Sequence, residues 1–385
     1  MAAAYNCRSH LKLPNNKTMK FILSFLFLLS FSTTQAQTRL LGGDISLLPT
    51  YEKAGTKFVD ANGKARPLLD IAKDNKWNAA RVRLFVNPAD APTENKDEGV
   101  CQDLDYITPL CKQIKKAGMN LMLDFHYSDT WADPGKQFTP KAWMKCSPGQ
   151  LCDSVYEHTA NALRHLKKNG CAPDLIQVGN EITFGMLWPT AKTDPFNEKN
   201  WDVLADLLKS GVRACREVCP NARLIIHTEH AGDWDATKNY YMRLRNHNVD
   251  YDIIGLSYYP MWHKDIPNLS RTLDSLAVDF PNKDIMIVET AFYYSHDNDK
   301  WAKSMDEYSD LYAISEDGQA QFTKELVDML KKHPKVTGLY WWFPEENESG
   351  KKVIGSWINR GLFNNHTGKV VKAMKNFADY RSNND

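Results

Sequence analysis

Residues 174–181 read DLIQVGNE. Leu175, Ile176 and Val178 form a short apolar, partly β-branched run of the kind that suits a strand covered on both faces. The run ends on Asn180 and Glu181, two polar residues placed where such a strand would emerge. Seven other stretches have the same build: GGDISLL (42–48), AARVRLFV (79–86), NLMLDFHY (120–127), RLIIHTE (223–229), YDIIGLSYY (251–259), DIMIVETA (284–291) and VTGLYWWF (336–343). Between most of them lie segments with helical spacing, such as 105–118, 155–170 and 201–218. The first two close on Gly after Lys-rich last turns, the expected helix stop.

Eight buried strands separated by helices predict a (β/α)8 TIM barrel. An open doubly wound sheet is the competing architecture, but no strand is followed by GxGxxG or GxxxxGK[ST]. No repeat or internal linker interrupts the pattern, so residues 37–385 read as one domain. The stretches 127–144 and 293–318 are largely too polar and too punctuated to be single helices. Long loops after strands belong to the barrel face that carries active sites.

The chain has 385 residues, 43% hydrophobic, with net charge +1. Charges are scattered along it, which gives no electrostatic case for a nucleic-acid partner. The 11 Trp, 16 Tyr and 16 Phe supply aromatic surface suited to flat ligands such as sugars. Near the N-terminus, Met19-Lys20 precedes the apolar run 21–31 and then STTQAQ. That run is too short to span a bilayer and reads as the h-region of a signal peptide over 1–36, with an extended start and cleavage after Ala36. The expected location is therefore export to the periplasm, cell surface or medium, with no membrane-spanning segment in the mature chain. Seven cysteines follow that cut, and Cys146–Cys152 and Cys101–Cys111 are candidate disulfides in such a compartment.

The strand ends supply the candidate chemistry. Glu181 closes the fourth run and Glu289 the seventh, and a closed barrel brings those ends together. Two carboxylates facing one cavity can divide acid and nucleophile roles on a glycosidic bond, provided one is held protonated and the other ionised. A single acidic strand end is ordinarily a solvated residue or half of an ion pair; the case rests on convergence. Asn180 can donate to a sugar hydroxyl. Arg81 and Arg83 share one strand face and can hold a carboxylate ionised. Trp341 and Trp342 point opposite ways, one to pack and one to face a sugar. His126, His227, His230 and Asp129 raise metal hydrolysis as the rival chemistry, but HExxH and the HxH after strand one are absent. A GxSxG elbow is absent too.

The runs 81–88, 123–137, 177–189, 251–263, 287–294, 338–344 and 355–368, in this order, resemble glycoside hydrolase family 53, the arabinogalactan endo-β-1,4-galactanases. The resemblance spans nearly the whole mature chain. It implies a barrel of the retaining glycosidase clan acting on galactan, with Glu181 as acid/base and Glu289 as nucleophile. It also implies that Asn180, Arg83, His126 and Tyr258 line the subsite before the scissile bond and that Trp342 forms its aromatic floor. Asp129 and Trp131 correspond to cleft residues of the third loop; Trp188 is either loop packing or a sugar platform. Some relatives hold structural calcium after strand seven. The acidic run SHDNDKW (295–301) lies nearby without aligning to their pattern, so structural calcium stays open there, while catalysis needs no cofactor. Two alternatives stay open: the same chemistry on another β-1,4-linked polysaccharide, and a glycan-binding barrel without catalysis.

Overall fold

The structure, a computed structural model, describes residues 38–297 and 310–382. The leader segment 1–36 and its apolar run 21–31 lie outside the described residues. The unit that holds the barrel begins at Arg39.

Eight parallel strands close into a barrel. They are β1 (Leu40–Asp44), β2 (Ala79–Leu84), β3 (Asn120–Phe125), β4 (Leu175–Val178), β5 (Arg223–Thr228), β6 (Ile253–Tyr258), β7 (Asp284–Thr290) and β8 (Val336–Trp342). Each pairs with its sequence neighbours, and β1 closes the ring on β8 with Leu40 opposite Gly338 and Asp44 opposite Trp342. Each of the eight expected runs overlaps one strand, although the first, 42–48, is offset from Leu40–Asp44 and reaches the helix that starts at Leu48. A two-residue ribbon, Gly185–Met186 against Ala191–Lys192, was not expected.

Helices on the outside bury one apolar stripe each. In Leu104–Lys116, the buried residues Ile107, Leu110, Cys111 and Ile114 follow the i, i+3, i+4, i+7 spacing of one helix face. Burying each large side chain of that stripe stabilises by roughly 1.5–3 kcal/mol, so a charge at Ile114 would unseat the helix. Gly118 and Gly170 stop the first two expected helices, at φ +75° and +73°. The helix expected from residue 155 starts earlier, at Pro148. Ser147 and Gln150 form a reciprocal capping box with Pro at the first helical position, a start signal that outweighs the polar composition of this turn.

That earlier start corrects the disulfide expectation. Cys146 precedes the cap and Cys152 sits inside the helix. Cys111 faces the core, whereas Cys101 lies before the helix that carries it. All seven described cysteines are free thiols.

Inside the barrel the strands build two layers. The lower one is apolar, from Ala79, Met122, Leu175, Ile225, Ile253, Met286, Val288 and Tyr340. Above it, nearer the C-terminal mouth, buried Arg81, Asp124, Gln177, His227 and Ser257 replace hydrocarbon. Burying such groups costs free energy unless each finds a partner. This layer therefore has to be a connected network, and it carries the site.

Candidate active site

The floor of the barrel mouth is organised by Arg81. Its guanidinium contacts Asp44 Oδ2 at 3.0 Å, Asp124 Oδ2 at 2.8 Å and Glu289 Oε1 at 3.0 Å. It also donates to Asn180 Oδ1 at 2.7 Å and to Gln177 Oε1 at 3.3 Å. Burial opposes its charge, but Asp124, Glu289 and Asp44 more than offset this and hold it protonated. The Glu289 contact is an ion pair off the hydrogen-bonding direction, since Glu289 Oε1 takes no aligned hydrogen bond. Glu289 Oε2 accepts from Tyr259 Oη at 3.0 Å.

Glu289 reaches this floor through a break in strand register. Leu256 pairs with Ile287 and Ser257 with Glu289, leaving Val288 as an extra residue on β7. Met286 and Val288 both belong to the interior layer. Strict alternation would then turn Glu289 outward; the extra residue re-aims it into the cleft.

Glu181 arrives by a different device. β4 stops at Val178 instead of running on to residue 181, because Gly179 (φ +89°) and Glu181 (φ +48°) take left-handed backbone. That conformation is uncommon for a residue with a side chain and concentrates at functional sites. Gln137, from the loop after β3, clamps the turn by donating to the carbonyls of Asn180 (2.8 Å) and Glu181 (3.2 Å). Ser257 Oγ donates to Glu181 Oε1 at 2.6 Å.

One oxygen of Glu181 and one of Glu289 lie within 4.8 Å of each other. Burial pushes the Glu181 carboxyl well above the carboxylate range, and the charges of Glu289 and Glu229 push it further. Burial also raises Glu289, to about 7, but there the Arg81 charge pulls back. The two environments separate a proton holder from an ionised partner.

Above them lies a cleft of about 590 Å³ whose lining includes His126, Trp131, Asn180, Tyr259, Trp342 and both glutamates. His126 accepts from Ala132 N at 3.1 Å and sits 3.1 Å from Asp124. Asn180 spends one amide hydrogen on Ala132 O, which leaves the other for a ligand. Trp342 lines the cleft, while Trp341 packs outward and donates to Arg360 O at 2.8 Å.

Four expected substrate contacts are placed elsewhere. Arg83 is fully buried; it pairs with Asp44 Oδ1 at 2.8 Å and lies against the rings of Trp131, Trp342 and Phe343. It supports the aromatic wall from behind. Tyr258 points outward, donates to Lys264 O and stacks on Phe322; its neighbour Tyr259 takes the inward place that alternation gives every second residue. Asp129 accepts from the backbone of Asn87 (3.0 Å) and Lys141 (2.8 Å) and so fixes the loop. Trp188 packs in that region, donating to Phe184 O under Lys192.

Glu181, His227 and Glu289 form the one group of three metal-ligating side chains found among the described residues. It does not suit a metal, because both His227 nitrogens already have partners: Gln177 and Asn180 at Nδ1, Ser257 at Nε2. Of the acidic run 295–301, only 295–297 is described. Asp297 there pairs with His366 Nε2 at 3.1 Å, and its carbonyl accepts from the Asn359 amide.

A (β/α)8 barrel whose mouth holds two carboxylates at this spacing, with aromatic rings beside them, is built as a glycoside hydrolase. The chain belongs to glycosyl hydrolase family 53, whose model matches residues 40–377. It is 34% identical over 336 residues to a probable arabinogalactan endo-β-1,4-galactanase A of Aspergillus fumigatus, covering 84% of this chain and 88% of that one. The GH53 catalytic domain of Ignisphaera aggregans superposes with a TM-score of 0.79 at 33% identity, covering 89% of this chain and 95% of that one. Fungal β-1,4-galactanases superpose at 0.74 with 29% identity, covering 88% and 99%.

Proposed function

We propose that the protein cleaves β-1,4-galactosidic bonds within galactan, the side chains of type I arabinogalactan, with net retention. The observation that carries the stereochemistry is the separation of at most 4.8 Å between oxygens of Glu181 and Glu289. Retaining enzymes hold their carboxyl groups about 5–5.5 Å apart and inverting ones about 6.5–9.5 Å apart, to leave room for water. The polymer follows from the galactanases among the relatives.

In this reading Glu289 Oε attacks the anomeric carbon while Glu181 gives its proton to the leaving glycosidic oxygen. The products are a galactosyl ester on Glu289 and a shortened chain. Glu181, now ionised, takes a proton from water, whose oxygen displaces Glu289 from the anomeric carbon. Arg81 and Tyr259 stabilise Glu289 as an anion and as a leaving group. Asn180 donates to the 2-hydroxyl, and Trp342 and Trp131 hold the sugar faces. No metal enters any step. The sequence of residues 1–36 supports an exported protein.

The test is reducing-sugar release from unbranched β-1,4-galactan, with products sized and the first-formed anomer read by proton NMR. A ladder of oligosaccharides with a β-anomer is expected; an α-anomer would remove the retaining mechanism. Glu181→Gln and Glu289→Gln should each lose at least about 10²–10³ in kcat while still binding galacto-oligosaccharides in calorimetry. Hydrolysis of xylan or mannan instead of galactan would move the same chemistry to another polymer. Binding without hydrolysis by the unmodified protein would leave a lectin.

A further inference from the structure

The polar layer contains a chain of hydrogen bonds whose direction can be worked out atom by atom. Arg81 is a donor only, so the Gln177 atom it contacts at 3.3 Å is the carbonyl oxygen. The Gln177 amide nitrogen then faces Asp124 Oδ1 at 2.6 Å, an acceptor when ionised. The same nitrogen lies 3.0 Å from His227 Nδ1, and the backbone N–H of Glu181 points at Nδ1 from 3.4 Å. Two donors facing Nδ1 make it the bare nitrogen of a neutral ring, so the ring proton is on Nε2. His227 Nε2 donates to Ser257 Oγ at 2.8 Å. That leaves the Ser257 hydrogen for Glu181 Oε1 at 2.6 Å.

We propose that Ser257, oriented by His227 and Gln177, is a positioning residue that dictates which oxygen of Glu181 carries the catalytic proton. Oε1 accepts from Ser257 at every stage of turnover, so the proton resides on Oε2 and leaves from there. This deepens the reading of Glu181 as acid/base and rests on it.

The reverse direction is supported by His227 Nδ1 at 3.0 Å from Asn180 Oδ1, and by Gly179 O and Asn180 Oδ1 as other acceptors for the Gln177 amide at 3.2 and 3.1 Å. It would set an N–H against the Gln177 amide and turn the Ser257 hydrogen toward His227. Glu181 would then need its proton on Oε1, buried against Ser257 and directed away from substrate. It would also leave two acceptors facing one hydroxyl hydrogen whenever Glu181 is ionised. The forward chain alone satisfies both protonation states of a double displacement.

Two measurements decide this. In the full-length mature protein labelled with 15N-histidine, His227, assigned by loss of its signal in His227→Gln, should be a neutral Nε2–H ring between about pH 5 and 8. An Nδ1–H ring overturns the proposal. Second, Ser257→Ala is assayed on galactan and on a dinitrophenyl β-galactobioside, whose leaving group needs no protonation. General acid catalysis contributes about 10²–10⁴. A misplaced proton should therefore cost galactan hydrolysis at least about tenfold more than the activated substrate, and Ser257→Thr should restore part of it. Equal losses on both substrates overturn the proposal. Glu181→Gln runs alongside. Were it also indifferent to the leaving group, the acid assignment itself would fall. A sensitive Glu181→Gln beside an indifferent Ser257→Ala removes only the role of Ser257.

Discussion

Tyr259, the residue just past the end of β6, donates its hydroxyl to Glu289 at 3.0 Å. Arg81 approaches the other oxygen of the same carboxylate at 3.0 Å. Glu289 thus has a neutral donor on one oxygen and a buried cation on the other. Both favour the anion against the burial that disfavours it.

Tyr259→Phe removes the neutral donor and keeps the ring. Glu289 has to be ionised to attack, and the lost hydrogen bond favoured the ionised form. The acid limb of the kcat/KM profile should therefore move to higher pH, by roughly half a unit to one unit. A pH profile of galactan hydrolysis checks this; a limb that stays put or moves down contradicts it.

Glu345, beyond the end of β8, offers a stability test away from the cleft. Leu47 N donates to its Oε1 at 3.1 Å, and burial followed by the Asp44 charge raises its carboxyl from the ordinary 4.5 to about 8. Between those values the folded protein binds more protons than the unfolded chain, so stability falls as pH rises through that window. Glu345→Gln keeps the acceptor and removes the titration. Its unfolding free energy should exceed the parent's near pH 9 by on the order of a few kcal/mol, seen as a higher melting temperature. The difference should vanish at about pH 4. A variant less stable at every pH would contradict the assignment.

The two tryptophans at the end of β8 should separate binding from stability. Trp342→Ala removes a cleft ring that packs near Trp131 and Arg83. It should raise KM for galactan roughly tenfold or more. Trp341→Phe, on the outer side, should leave KM unchanged and lower the melting temperature, since the buried Arg360 carbonyl loses a donor. Steady-state kinetics and thermal melts on both variants check the contrast.

With its seven described cysteines free, the folded protein should melt at the same temperature with and without reductant. A fall on adding reductant would reveal a cross-link.

The barrel was legible because each strand is covered on both faces and so appears as a short apolar run. The helix over 201–218 was read to its ends for a similar reason, its apolar stripe being strongly periodic. What escaped were local departures from period. Ser147 and Gln150 move a helix start by reciprocal capping, a signal carried by SPGQ within an otherwise polar stretch. Tyr258 and Tyr259 are chemically alike, and only strand facing tells which enters the cleft. The inward turn of Glu289 depends on the extra residue Val288, which alternation alone would have contradicted. Gln177 and Ser257 looked like ordinary polar interruptions of apolar runs, because their function lies in partners contributed by other strands.

The left-handed backbone at Glu181 bears on attempts to transplant this chemistry. The acid stands where it does because the chain turns at Gly179 and again at Glu181, with Gln137 clasping the carbonyls from a different loop. A designer who copied only the glutamate onto the end of a straight barrel strand would launch its side chain along a different direction, whatever rotamer it chose. The transferable unit is therefore the turn together with its clasp. Its scaffold would have to meet the conformational cost of that turn before any substrate is bound.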